Sequence, residues 1–230
     1  HWQQKNLLDS KTEANLPEWF LAGHWLQLTD CQSWDELIAA YAGKWPVQDN
    51  QQALRELARQ LAIGDEGGDD SIDKAIAFVQ DGFRFVGGQN DFGDVAPSAP
   101  LEVARRRYGD CKDLACLLAA LLRAAGVPAR PLLVHSQLKG RIAGLLPMMF
   151  FNHALVEYEI DNDRRWVDPV RQLQGGGARR RPIASFGIGL PVEAGCHDLR
   201  DMPQQQRREE GGYKLQESFW LNTAGVWSIL

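Results

Sequence analysis

The sequence predicts an α+β fold in which helices come first and antiparallel strands follow. Apolar residues recur at helical spacing up to about residue 125 and at strand-like spacing from about residue 130. Turn-rich residues separate the strand-like segments, as expected for strands joined by short hairpins. At 230 residues the chain is long enough to bury a substantial core.

The predicted helices begin and end at recognisable signals. Ser33 and Glu36 fit a capping box, in which each side chain satisfies a backbone N–H at the start of a helix. A second helix is predicted from about residue 51 to residue 63. Ser71 is expected to cap a third helix that stops near Gly82.

The clearest helix starts at Cys111. Gly109 allows a tight entry and Asp110 is a good N-cap, so that Cys111 takes the first helical position. Gly126 suits the C-terminal cap. One buried stripe is predicted along this helix, formed by Leu114, Leu117, Leu118, Leu121, Leu122 and Ala125.

A thiol at the first position of a helix is well placed to act as a nucleophile. It faces unpaired backbone N–H groups and the positive end of the helix dipole, which favour the thiolate. A nearby carboxylate, Asp113, opposes the thiolate, and Lys112 can offset it. The alternative is that Cys111 is a small buried apolar residue, as free cysteines usually are. Cys116 falls mid-helix in an apolar stretch, so core packing is its expected role.

A hairpin is predicted to bring His153 near Asp168. Asp161-Asn162 is strong turn chemistry between two apolar segments. A turn there sets Asp168 opposite Leu155 and places His153 one diagonal step away on the same face, about 7–8 Å between Cα atoms. A turn one residue later would put the two side chains on opposite faces. The alternative for His153 is a core histidine bonded to a backbone carbonyl.

These three residues can divide the work of acyl transfer. Cys111 would attack a carbonyl, His153 would accept and return the proton, and Asp168 would fix the imidazole tautomer and stabilise its charged form. The chain order fits a helix-borne nucleophile that faces a sheet carrying the other two. A metal site at His153, Asp168 and a cysteine is disfavoured by the poor ligand spacing.

Composition excludes several other classes of function. The net charge of −5 and the pI near 5.6 argue against nucleic acid as the main partner. The two arginine runs, at 105–107 and 179–181, are interpreted as solvated surface. No stretch approaches the roughly 20 apolar residues of a membrane span. Four cysteines are too sparse for a disulfide scaffold, and no cofactor is indicated.

Three sequence blocks resemble the transglutaminase-like superfamily. They are Arg107-Tyr108-Gly109-Asp110-Cys111-Lys112-Asp113, then Asn152-His153-Ala154, then Trp166-Val167-Asp168-Pro169. The resemblance runs from about Leu16 to Val170. It is nearest to bacterial members that carry a β-rich domain of unknown function upstream. We expect this chain to be a piece of such a longer protein, without the upstream domain.

The resemblance implies a papain/transglutaminase-like core with a Cys111, His153 and Asp168 triad and acyl chemistry on peptide or isopeptide amides. Papain-like enzymes also use a side-chain oxyanion donor upstream of the nucleophile, and Gln89 is the candidate by residue type and order. The expected partner is a peptide or protein substrate, and the sequence leaves the oligomeric state open. The resemblance, rather than the chain itself, points to the periplasm or cell envelope.

These expectations divide the chain into three parts. Residues 1–50 are interpreted as a connecting segment from the upstream domain, residues 51–172 as the core, and residues 173–230 as a linker and a β-rich extension. The leading hypothesis is a cysteine peptidase or amidase, with hydrolysis favoured over cross-linking because water needs no second binding site. The alternative is a non-catalytic module that uses the same fold for binding or scaffolding in a larger envelope protein.

Overall fold

The computed structural model describes residues 15–16, 25–64, 68–87 and 96–202, together with the backbone of 219–221 and 227–229. The helices are α1 (Trp34–Ala42), α2 (Gln51–Gln60), α3 (Asp69–Gly82), α4 (Pro100–Arg106), α5 (Cys111–Ala124) and α6 (Gly177–Arg180), with a 3₁₀ helix at Lys139–Gly144. The strands are β1 (Arg84–Phe85), β2 (Tyr108–Gly109), β3 (Ala129–Val134), β4 (His153–Ile160), β5 (Asp163–Val167), β6 (Gly187–Pro191), β7 (Arg200–Met202), β8 (Phe219–Leu221) and β9 (Trp227–Ile229).

A five-stranded antiparallel sheet forms the β layer. Its strand order is β5-β4-β3-β6-β7, so that β3 lies at the centre. Helix α5 packs on β3 and β4, and helices α2, α3 and α4 pack on α5. The predicted α+β class, with a cysteine-bearing helix against an antiparallel sheet, is confirmed.

Helix α5 is buried on nearly all sides. Its leucines at 114, 117, 118, 121 and 122 are at most 1% exposed, and even Lys112 and Asp113 in its first turn are buried. A helix that is apolar around its whole circumference belongs in the interior. Each buried leucine contributes about 1.5–3 kcal/mol relative to an exposed one, so this helix forms the centre of the core and fixes where Cys111 lies.

The β4–β5 hairpin has the predicted turn. Asp161 and Asn162 adopt φ values of 51° and 63°, the left-handed conformation that both central residues of a type I′ turn require. The resulting register pairs Val156 with Val167 and Ile160 with Asp163. Residue 168 follows directly after β5. Because β5 runs antiparallel to β4, this residue lies near the end of β4 at which His153 begins the strand.

The prediction for the start of the third helix is wrong. Ser71 does not cap the third helix, because α3 already starts at Asp69 after Gly68 and includes Ser71 as a buried residue. The acidic side chains at the first turn of α3 suit its positive end, which moves the start upstream.

The arginine runs are not simply solvated surface. The guanidinium of Arg107 lies over the rings of Phe78 and Phe83. Arg181 is 7% exposed, and its Nη2 donates to Asp73 Oδ1 at 3.0 Å. A sequence pattern of adjacent charges does not reveal such partners, because they come from a helix about 100 residues away in the case of Arg181.

The sheet and the core extend beyond residues 51–172. Strands β6 and β7 belong to the same five-stranded sheet, in which β6 pairs with the central strand β3. Leu37 and Ile38 of α1 belong to the same hydrophobic core as α5. Within the part of the chain that the structure describes, no helix is long and apolar enough to cross a membrane.

Replacing Gly109 by alanine should destabilise the fold. A Cβ at this position would lie 2.7 Å from Asp113 Cβ and 3.0 Å from its Oδ2, and crowding of a packed site costs about 1–3 kcal/mol. Urea unfolding of Gly109→Ala should show a loss of this size. Gly43→Ala is the matched control, because a Cβ there meets no atom within 4 Å. Equal stabilities for the two variants would contradict the packing described.

Candidate active site

Cys111 is the first residue of α5 and is 7% exposed. The preceding Asp110 caps the helix, since its Oδ1 accepts hydrogen bonds from the N–H groups of Lys112 and Asp113 at 2.9 and 3.0 Å. Parallel pairing of β1 with β2 anchors the entry, with Phe85 opposite Gly109. These contacts hold the thiol at the helix N-terminus.

The charged residues of the first turn are paired with each other and with α4. Lys112 Nζ lies 2.6 Å from Asp110 Oδ2 and forms an ion pair with it. Asp113 is instead bound by Arg106 Nη2 at 2.5 Å and by the Ser98 N–H at 2.7 Å. Its charge is therefore neutralised on the α4 side, which lessens its opposition to a thiolate at Cys111.

His153 opens β4 opposite Val134, and its imidazole is largely buried, with its ring centroid 6.1 Å from that of Phe186. The residue before it, Asn152, is held firmly. Its N–H donates to the Val134 carbonyl at 3.1 Å, and its side-chain Oδ1 accepts from the Ser136 N–H at 2.9 Å. The chain therefore enters β4 in a fixed orientation.

Asp168 lies just after β5 and bonds His153. Its Oδ2 lies 3.0 Å from His153 Nε2, and its Oδ1 accepts from the Val170 N–H at 3.1 Å. A carboxylate can only accept, so Nε2 carries the proton. The opposite ring nitrogen, Nδ1, is then left to face the thiol. The structure thus brings together all three residues that the sequence singled out.

The electrostatics favour a charged imidazole. Burial alone lowers the pKa of His153, but the hydrogen bonds with Asp168 and Cys111 and the negative charges of both outweigh it, and they raise the pKa to about 10. The ring is therefore held as an imidazolium between a carboxylate and a sulfur. Cys116 is a different kind of cysteine from Cys111, because its side chain is fully buried and burial raises the pKa of its thiol.

The comparisons with known proteins agree with this geometry. The family model described as the transglutaminase-like superfamily matches residues 55–169, which is half of the chain. The chain belongs to the transglutaminase-like superfamily. The predicted resemblance is confirmed, and the matched range includes Cys111, His153 and Asp168. No curated protein matches the sequence.

Two solved structures are similar to this superfamily member. A candidate protease from Parabacteroides distasonis is 14% identical with a TM-score of 0.51, over 75% of this chain and 31% of that protein. A candidate cysteine protease from Cytophaga hutchinsonii is 16% identical with a TM-score of 0.42, over 72% of this chain and 51% of that protein. This chain thus spans about a third and about half of their lengths. The first likeness shows the fold. Family and fold together support a papain-like thiol enzyme in general terms.

The candidate oxyanion donors are the side chain of Gln89 and the backbone at the start of α5. Gln89, the predicted side-chain donor, lies outside the described residues. The cap of α5 engages the N–H groups of residues 112 and 113 through the Asp110 side chain and that of Leu114 through the Asp110 carbonyl. The cap does not engage the Cys111 N–H, and we expect this group to be the backbone donor for a developing oxyanion.

A buried glutamine that the sequence reading missed reaches the site from α3. Gln80 is 2% exposed, and its Nε2 donates to the Asp168 carbonyl at 2.8 Å. A signal was present, because Gln80 occupies a position of the α3 apolar stripe, four residues after Ile76 and eight after Ile72. A polar side chain at such a position needs a buried partner. The sequence does not reveal which partner it finds.

Neutralising Asp168 should lower the pKa of His153. Asp168→Asn keeps the shape of the side chain and removes the negative charge that supports the imidazolium. An NMR titration of the His153 Cε1–H should show the ring protonated up to about pH 10 in the parent chain and losing its proton at distinctly lower pH in the variant. Asp161→Asn, on the turn of the same hairpin, should leave the titration unchanged. Identical titrations of the parent chain and Asp168→Asn would contradict the charge-supported geometry.

Proposed function

We propose that this chain is a thiol-dependent acyl-transfer enzyme that acts on peptide or isopeptide amides through Cys111, His153 and Asp168. The observation that carries the proposal is the imidazole of His153, which bonds Asp168 at 3.0 Å and Cys111 on its other side. A nucleophile, a base and a group that orients the base are the parts that acyl transfer requires.

The reaction begins with the thiolate of Cys111. Its sulfur attacks the carbonyl carbon of the amide, and the resulting oxyanion accepts a hydrogen bond from the Cys111 N–H. His153 Nδ1 gives its proton to the leaving nitrogen, the C–N bond breaks, and a thioester and a free amine result. Asp168 stabilises the imidazolium before this step and keeps Nε2 protonated after it.

The second half of the reaction returns the enzyme to its starting state. Neutral His153 accepts a proton from water, and the hydroxide oxygen attacks the thioester carbon. The C–S bond breaks, releasing a carboxylic acid and restoring the thiolate beside the imidazolium. We propose water as the acceptor, and thus a protease or amidase, because water needs no second binding site, whereas a cross-linking reaction needs one for the amine.

The alternative of a non-catalytic binding module has less support. Such a module would have no need to hold an imidazole between a carboxylate and a thiol. The cost of this arrangement is also visible, since His153 and Asp168 are each less than one-fifth exposed and burying ionisable groups is unfavourable unless they are paired.

Alkylation of the thiols by iodoacetamide tests the proposal. At pH 6 an ordinary thiol, with a pKa of about 8.5, is mostly protonated and reacts slowly. We expect Cys111 to react more than about tenfold faster than the half-buried Cys31 and Cys196 at this pH, as measured by peptide mass spectrometry. Cys116 should remain unlabelled because it is fully buried.

The variant His153→Ala should remove this advantage of Cys111 at pH 6, because the imidazolium that stabilises the thiolate is gone. His197→Ala is the matched control, since His197 lies on the surface in a pair with Asp35. The enzyme proposal fails if Cys111 reacts like Cys31 in the parent chain, or if His153→Ala leaves the rate of Cys111 unchanged. Either result would favour the hypothesis of a non-catalytic binding module.

A further inference from the structure

We infer that Gln80 is a positioning residue that sets the orientation of Asp168 and, through it, of His153. The inference rests on the proposed function, because it gives Gln80 a task within the same site. It goes beyond that function by placing part of the site's control on helix α3, which supplies none of the three reacting side chains.

The orientation of the Gln80 amide is fixed by its partners. Nε2 lies 2.8 Å from the Asp168 carbonyl oxygen and 3.0 Å from Gln174 Oε1. A backbone carbonyl can only accept, so the amino group must face it. Both N–H donors of Gln80 are then used on the segment that starts at Asp168. The remaining oxygen, Oε1, lies 3.5 Å from Arg181 Nη1.

Neighbouring contacts hold the same segment to the same end of α3. The Leu173 N–H donates to Asp81 Oδ1 at 2.8 Å, and Gln172 Nε2 donates to the Phe83 carbonyl at 3.4 Å. Gln172 and Leu173 are exposed residues, whereas Gln80 is 2% exposed. Among the residues that join α3 to this segment, Gln80 is therefore the buried one that bonds Asp168 itself.

The buried side chain of Arg181 contacts the amide oxygen of Gln80. Arg181 is 7% exposed, donates to the Gln174 carbonyl and is held by Asp73 Oδ1 at 3.0 Å. Asp73 lies on α3 two turns before Gln80. The cation, the amide and the loop after Asp168 thus form one hydrogen-bonded network that is anchored at two points of a single helix.

Helix α3 also packs against the helix that carries the nucleophile. The side chains of Ile72, Ile76 and Val79 are fully buried, and α3 contacts α5. Cys111 and Asp168 come from elements 57 positions apart in the chain. Through its apolar face and through Gln80, α3 ties both elements to one rigid support, which keeps the Asp168 carboxylate in place relative to the thiol.

The test uses Gln80→Met, which retains length but removes both donors, and Gln80→Glu, which directs a carboxylate at two acceptors. The readout is the ratio of the Cys111 iodoacetamide rates at pH 6 and pH 9. Misplacement of a supporting group typically costs on the order of tenfold or more, so we expect the ratio to fall about tenfold in both variants. Circular dichroism at both pH values must show each variant folded, because Cys111 in an unfolded chain would behave as an ordinary thiol and would also give a low ratio.

Gln51→Met is the matched control, because Gln51 Nε2 donates to the Val47 carbonyl at 3.3 Å on helix α2, and its ratio should equal that of the parent chain. If Gln80→Met does not fold, Gln80→Glu and the His153 Cε1–H titration carry the test. An unchanged ratio in the folded Gln80 variants, with a fast Cys111 in the parent chain, overturns this inference alone. A slow Cys111 in the parent chain overturns the proposed function instead.

Discussion

The burial of α5 is the constraint on which the rest of this structure depends. A helix that is apolar around its circumference must be covered on every side, here by β3 and β4 on one side and by α2, α3 and α4 on the others. Cys111 occupies the N-terminus of this helix and is 7% exposed. The position of the thiol therefore depends on the packing of the core, because any shift of this helix would also move Cys111.

Polar contacts determine the charges around the thiol, whose position the packing of α5 sets. Arg106 neutralises Asp113, Lys112 pairs with Asp110, and Asp168 charges the imidazole of His153. Each of these pairs joins residues that are partly or largely buried, where charges interact more strongly than at the surface. The arrangement leaves a sulfur beside a cation in a chain whose net charge is −5.

Much of this architecture could be predicted because it follows from local rules. The start of α5 follows from Gly109 and Asp110, and the hairpin register follows from Asp161-Asn162, whose left-handed conformations a type I′ turn requires. That register, found in the structure, sets His153 and Asp168 on one face. Which residues carry catalysis stays a prediction. Family resemblance placed the three sequence blocks in one fold, which local rules could not do.

The parts that could not be predicted depend on partners distant in the chain. Arg181 was interpreted as solvated surface, whereas it pairs with Asp73. Gln80 was not singled out from the sequence, and it donates to the Asp168 carbonyl. Strands β6 and β7 were expected to belong to an extension, and their pairing with the central sheet follows from long-range register. Spacing within a segment carries no information about such contacts.

The central claim is that Cys111 forms a thioester during acyl transfer. The most direct measurement is mass spectrometry of the chain after acid quench of its reaction with a p-nitrophenyl ester of a short peptide. We predict a peptidyl group on Cys111 that hydroxylamine removes and that water hydrolyses to the free acid. A peptidyl group spread equally over Cys31, Cys111 and Cys196 would contradict it.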